Sequence, residues 1–254
     1  MSIRTETADG VLTLTFDRLD RKNAITAAMD QTLADALVAA ETDPAIRVIV
    51  LAGHESIFTA GNDLEDFMKN PPAGMDAPVF QFMMALGLAE KPVLVAVNGA
   101  AVGIGTTLLA HADFAYCADN AMFSMPFVSL GLCAEFGSSL LVPLAAGYHK
   151  AAEKLLLGEP MSAEEALEMK LVNRILPPGE VLEHTLRQAR RFNALPPASV
   201  RETKRLMKAG WRSLTEKIIA DEAQTFAHLL KSAEAKEAFN AFFERRKPDF
   251  SRFQ

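Results

Sequence analysis

The chain has 254 residues, half of them hydrophobic and 23% charged, with a formal net charge of −6; this is the balance of a globular protein with a sizeable core, not of a disordered, collagen-like or disulfide-stapled chain. Its Lys and Arg residues are scattered apart from the run Arg245-Arg246-Lys247, which argues against a nucleic-acid partner, and its two cysteines, Cys117 and Cys133, read as small buried thiols of a reducing compartment. No stretch reaches the roughly 18 to 20 apolar residues of a membrane span, residues 1–9 lack the apolar core of a leader, and Ser251-Arg252-Phe253-Gln254 is not the Ser-Lys-Leu peroxisomal address, so a cytoplasmic location is expected.

Residues 3–7 and 11–16 alternate apolar and polar positions around Asp9-Gly10, a dipeptide that tolerates positive φ in a tight turn, and predict an opening β-hairpin. Thr26 is placed to cap a helix in which Met29, Leu33, Leu37 and Val38 recur at helical spacing until Asp43-Pro44 stops it. A strand over residues 47–52, a helix over 79–88 and a strand over 93–97 follow, and this alternation is α/β organisation. Beyond Gly99 comes a glycine-rich turn, a helical stretch to about Ala110, and extended segments over 114–118 and 121–124. Ser162 and Glu165 form a capping box for the helix leading into Leu171-Val172-Asn173. From Pro178 only helical periodicity remains, over 181–192, 199–209, 214–230 and 234–245, with Pro196-Pro197 marking a boundary near residue 195.

Two of these connections can carry chemistry. Phe58-Thr59-Ala60-Gly61-Asn62-Asp63-Leu64 runs from a strand into a helix, where backbone amides lack intrahelical acceptors and can hold an oxygen bearing negative charge. Asn98-Gly99-Ala100-Ala101-Val102-Gly103-Ile104-Gly105-Thr106-Thr107 does the same, and Gly99, Gly103 and Gly105 allow close backbone approach to a ligand. Read singly, each also fits a plain strand-to-helix turn. The second lacks Gly-x-Gly-x-x-Gly spacing and an acidic residue about 20 positions on, which argues against a dinucleotide. The five histidines lack zinc-site spacing, so no metal is expected, and no Gly-x-Ser-x-Gly elbow supplies a hydrolase serine.

Together the two loops match, in order, spacing and strand context, the paired segments of the enoyl-CoA hydratase/isomerase (crotonase) superfamily. The similarity continues through Ala112-Asp113-Phe114, Phe123-Ser124-Met125-Pro126, residues 156–173 and Phe242-Phe243-Glu244-Arg245-Arg246-Lys247-Pro248, so the resemblance covers nearly the whole chain. It implies an α/β crotonase spiral of repeated ββα units over residues 1–195, holding an acyl-CoA site, and a C-terminal helical trimerisation region over 196–254 that packs on the core or on a neighbouring subunit. It also implies an acyl-CoA thioester as substrate, with coenzyme A part of the substrate and no separate cofactor. The assembly would be a homotrimer, or a hexamer made of two trimers.

Carried over residue by residue, the resemblance puts the thioester oxygen between the N–H groups of Ala60 and Ile104. The second donor is usually a glycine in the family, but an amide does not depend on its side chain. Ala60, Gly61, Asn62, Asp63 and Leu64 would border the CoA moiety; Gly103, Ile104, Thr107, Phe127 and Leu132 would line the acyl site. Basic residues at Lys204 and Arg245 to Lys247 could meet CoA phosphates or be solvated helix faces, and Asp113 reads as a structural partner at a strand start. Hydratases of the family use two glutamates, at positions that hold Thr107 and Phe127 here.

The segment from Pro126-Phe127 through Leu130-Gly131 to Glu135 and Gly137-Ser138-Ser139 resembles that of peroxisomal-type Δ3,Δ2-enoyl-CoA isomerases, in which the glutamate is catalytic. By residue type alone Glu135 reads rather as a helix N-terminal glutamate favoured by the dipole. The resemblance makes it the proton carrier, its acidity weakened by the apolar neighbours Phe127, Leu132 and Phe136. The function implied is Δ3 to Δ2 enoyl-CoA isomerisation; the alternatives are hydration of a 2-enoyl-CoA and a non-catalytic acyl-CoA-binding module.

Overall fold

In the computed structural model, which describes residues 2–72 and 74–253, the chain opens as its alternating pattern dictates. Strands β1 (Ile3–Ala8) and β2 (Val11–Phe16) pair antiparallel, and Asp9 and Gly10 take φ of 50° and 73° in the turn between them. Thr26 caps α1 (Ala27–Thr42) through a bond from the Met29 N–H. Met29, Leu33, Leu37 and Ala40 on this helix are buried; Val38, expected on the same stripe, is 62% exposed because it lies a residue past Leu37, off the packed face.

The chain then runs through three similar passes. β3 (Val48–Ala52) and β4 (Ile57–Thr59) lead to α2 (Leu64–Lys69) and α3 (Pro78–Gly87); β5 (Val93–Val97) and β6 (Ala100–Val102) lead to α4 (Ile104–Thr107). β7 (Phe114–Ala118) and β8 (Met122–Ser124) lead to α5 (Ser138–Ala146) and α6 (Tyr148–Leu157). In each pass the first strand joins one sheet and the second strand another, which is the expected spiral of ββα units. Completing the chain are β9 (Met161–Ser162), α7 (Ala163–Glu168), β10 (Arg174–Leu176), α8 (Val181–Arg190), α9 (Pro197–Lys208), α10 (Arg212–Leu229) and α11 (Ala233–Phe243). The six-stranded sheet runs β1-β2-β3-β5-β7-β10, parallel from β2 onward, and the four-stranded sheet runs β4-β6-β8-β9.

The central parallel strands are continuous apolar runs because both of their faces are covered. Ile49, Leu51, Val93, Val95 and Cys117 face the main core, while the alternate residues Val48, Val50, Leu94 and Ala96 face a smaller cluster closed by Val181 and Ala189 of α8. Ile219, Ala223 and Phe226 of α10 and Ala235 and Phe239 of α11 belong to the main core as well. Asp113 ties β5 to β7 by accepting the Val93 N–H at 2.8 Å. The address-like comparison at the C-terminus includes Gln254, which lies outside the described residues.

Candidate active site

Both chemistry-bearing loops leave the four-stranded sheet at neighbouring strands, and the polypeptide pins each from behind. Phe58 is buried edge-on against Phe16, with ring centroids 5.2 Å apart. The Thr59 hydroxyl donates to the Asn23 carbonyl at 2.6 Å and accepts the Gly61 N–H at 3.0 Å. Gly61 has φ of 83°, and a Cβ there would lie 2.7 Å from the Val102 carbonyl oxygen, so the two loops touch backbone to backbone only because this residue is glycine. Asp63 caps α2 through Glu65 and Asp66 and pairs with Arg18 at 2.6 Å. Burial would raise its pKa, but the Arg18 bond and the backbone donors outweigh it and hold the carboxyl below its usual range.

The amides of these loops are unequal. The Ala60 N–H, expected as the first donor, is engaged by the Lys22 carbonyl at 3.0 Å and so is not available to a ligand. The Asp63 N–H donates to the Ile25 carbonyl at 2.8 Å. Between them, Asn62 has no acceptor for its N–H among the described residues, and the same holds for Ile104, which opens α4 after Gly103. Leu64 and Gly105, in the first turns of α2 and α4, likewise have none among the described residues, so Asn62 and Ile104 are one unengaged amide from each loop.

Both face a cavity of about 520 Å³ that Ala60, Gly61, Asp63, Leu64, Gly103, Phe127 and Leu132 also line, as expected for them. Phe226, Phe239, Phe242 and Phe243 from the C-terminal helices complete its apolar wall, which periodicity alone did not connect to the site. Arg21 and Lys22 are the cations on its lining. Lys204 is elsewhere, buried against Asp113 at 2.6 Å and the Lys91 carbonyl at 2.7 Å, and Arg246 is paired with Glu237 at 2.5 Å and Glu244 at 2.6 Å. Neither these two nor Arg245 and Lys247 line the cavity. A larger groove of about 750 Å³ carries one carboxylate, Asp113, already held by Lys204.

Thr107 does not line the cavity; its hydroxyl instead donates to Glu135 Oε1 at 2.5 Å. Glu135 Oε2 is buried without a partner among the described residues. The carboxyl opens on a chamber of about 20 Å³ that shares Asn62, Phe67 and Phe226 with the larger cavity and is otherwise walled by Val79, Phe80, Met83, Phe136, Ile219 and Ala223. Of the three apolar neighbours expected, only Phe136 is at this wall; Phe127 and Leu132 face the larger cavity, and the rest of the wall comes from α2, α3 and α10. Burial pushes the Glu135 carboxyl up to about 8, the Thr107 bond opposes this, and the Glu222 and Asp30 carboxyls add to it. Asp30 of α1 is likewise buried, with Oδ1 unpartnered, and is raised to about 8 by burial and then by Asp66.

Glu135 is followed by two left-handed residues, Phe136 at φ 58° and Gly137 at φ 71°. His111 stacks on the Phe136 ring at 4.0 Å, and its Nε2 lies 2.6 Å from the Phe136 carbonyl. Burial drives its imidazole down to about 3, so the ring is neutral and Nε2–H is the donor. The arrangement joins two free amides, a weakened buried acid and an apolar chamber: equipment for moving a proton beside an oxygen that gains charge. Among the described residues no group of acidic, His and Cys side chains could hold a metal, and no helix is long and apolar enough to cross a membrane.

Comparison with known proteins agrees with this chemistry. Residues 6–252 match the profile of the family described as Enoyl-CoA hydratase/isomerase. The chain is 30% identical over 241 residues to 2,3-dehydroadipyl-CoA hydratase of Escherichia coli (strain K12), covering 94% of each. It is 31% identical over 245 residues to Enoyl-CoA delta isomerase 2 of Homo sapiens, covering 94% of this chain and 62% of that protein. Among solved structures, that of Pseudomonas aeruginosa OdaA superposes with a TM-score of 0.94 at 48% identity, covering 96% of this chain and 99% of that one.

Proposed function

Since the chain belongs to the enoyl-CoA hydratase/isomerase family, we propose that it converts 3-enoyl-CoA to 2-enoyl-CoA with Glu135 as its single proton carrier. The observation that carries this reading is the unpartnered Oε2 of Glu135 in an apolar chamber, with Thr107 and Phe127 where a two-acid hydratase has its glutamates. Glu135 removes a C2 proton; the electron pair moves through the thioester enolate and the C3–C4 double bond, and the same proton returns at C4. Enolate charge on the thioester oxygen is met by the Asn62 and Ile104 amides, each worth roughly 3 to 4 kcal/mol in comparable sites. No cofactor enters this scheme beyond the CoA of the substrate, whose phosphates Arg21 and Lys22, the cations on the cavity lining, would meet.

Hydration would require a second acid at the reacting carbons. Asp30 is the nearest in character, but it lines neither the cavity nor the chamber. A binding module without chemistry would have no use for a buried, partnerless carboxyl beside two free amides. Incubation with 3-hexenoyl-CoA and, separately, crotonyl-CoA decides between them: 2-enoyl product from the first supports isomerisation, 3-hydroxyacyl product from the second supports hydration, and neither product from a chain that binds both supports the module. Glu135→Gln should lower isomerase turnover by about 100-fold or more; an unchanged rate would remove Glu135 from the mechanism.

A further inference from the structure

Glu222 lies 87 residues beyond Glu135 in the chain, on α10, yet it holds the turn that carries the proton carrier. Its carboxylate accepts the Gly137 N–H at 2.5 Å, the Ser139 N–H at 3.0 Å and the Ser139 hydroxyl at 2.5 Å. These amides open α5, where helix N–H groups have no intrahelical acceptor and carry positive partial charge, and no side chain of the turn itself caps them. A non-glycine residue in the left-handed region, as Phe136 is, persists only where its surroundings over-determine it. His111 secures the Phe136 carbonyl from one side, and Glu222 secures the following amides from the other.

Resting on the isomerase reading above, we infer that Glu222 is a positioning residue for Glu135, fixing the Phe136-Gly137 turn so that its carboxyl stays at the small chamber adjoining the cavity. Ala223 and Phe226, on the same helix, wall that chamber. One helix therefore both shapes the acyl space and sets the direction of the proton carrier. The contact is also electrostatic. The ionisable groups acting on Glu135 are Glu222 from α10 and Asp30 from α1, whereas α3 presents only Val79, Phe80 and Met83 to the chamber, and the adjacent His111 is neutral. An ionised Glu222 makes ionisation of Glu135 harder, so its removal should ease it.

The test compares wild type, Glu222→Gln, Glu222→Ala and Ser139→Ala on 3-hexenoyl-CoA, with Glu135→Gln in parallel and the folded fraction of each measured by circular dichroism and thermal unfolding. Per folded enzyme, kcat should fall roughly 10- to 100-fold in Glu222→Ala, with KM within about twofold of wild type, because misaiming the reacting group costs rate and not CoA binding. Glu222→Gln keeps one acceptor oxygen and should be intermediate, and the rising limb of its kcat/KM profile should move to lower pH, which a purely structural contact would not cause. Ser139→Ala deletes one of the three donors and should show the smallest loss. Inactive Glu135→Gln beside Glu222 variants with unchanged kcat and an unmoved limb would overturn the role of Glu222 alone. An active Glu135→Gln would overturn the isomerase reading, and this role with it.

Discussion

The buried carboxyls decide how this site responds to pH. A carboxyl acts as a base only when ionised, so under the proposed isomerisation, with the Glu135 carboxyl raised to about 8, the kcat/KM for 3-hexenoyl-CoA should climb through that region and flatten above it. A profile flat from pH 6 to 9 would contradict the buried environment of Glu135. Asp30 follows the same sign for stability. Its folded form holds a proton up to about 8 that the unfolded form releases near 3.8, so it lowers stability progressively as pH rises between those values. Asp30→Asn should flatten that decline and stabilise the protein at pH 8 to 9, by an amount on the order of a few kcal/mol, with little effect at pH 4. Unfolding midpoints at the two pH values give the comparison. Glu135 was singled out by its motif, whereas Asp30 reads in sequence as an ordinary helix residue, because its burial comes from tertiary packing that leaves no local mark on α1.

The loops are the elements whose packing makes the site. Gly61→Ala would set a Cβ 2.7 Å from the Val102 carbonyl in a backbone conformation that side chains disfavour, spreading the two loops. Its expected signature is a kcat at least about tenfold lower than wild type in a folded protein, since Asn62 and Ile104 would no longer meet one oxygen. Replacing Arg21 and Lys22 by alanine should act differently, raising KM several-fold for the CoA ester while sparing kcat, because phosphate contacts are the same in ground and transition states. Most strands and helices and both loops were readable from periodicity and turn residues, and the capping box at Ser162 formed as spelled, whereas α6, β9 and β10 carried no expectation. Which loop amide is free was not readable. Ala60 is consumed by Lys22, a residue 38 positions earlier that takes φ of 54° as it turns its carbonyl inward.

At the scale of the molecule, the C-terminal helices do two kinds of packing. α10 and α11 bury Ile219, Phe226 and Phe239 in the main core, but α9 leaves Leu206 and Met207 exposed, and Leu144 and Leu156 are exposed on α5 and α6. Apolar surface of this kind is what a subunit contact covers, in keeping with the trimer or hexamer the family resemblance implies. Native mass spectrometry should give a mass three or six times that of one chain. A single-chain mass at micromolar concentration would refute the assembly, and the acyl site would then be complete within one subunit.

Sequence alone determined most of the elements, because alternation, helical spacing and caps are local and leave their mark residue by residue. It also pointed to the enoyl-CoA hydratase/isomerase family, because the two loops match that family's paired segments in order and spacing. Tertiary structure decided which groups can work. Lys22 removes Ala60 from the donor pair, Thr107 turns from an acyl-site residue into the partner of Glu135, and Lys204 and Arg246 are spent on Asp113 and Glu237. A hydrogen-bonding group is available only if nothing nearer in space has claimed it, and nearness in space between residues far apart in the chain is what folding adds.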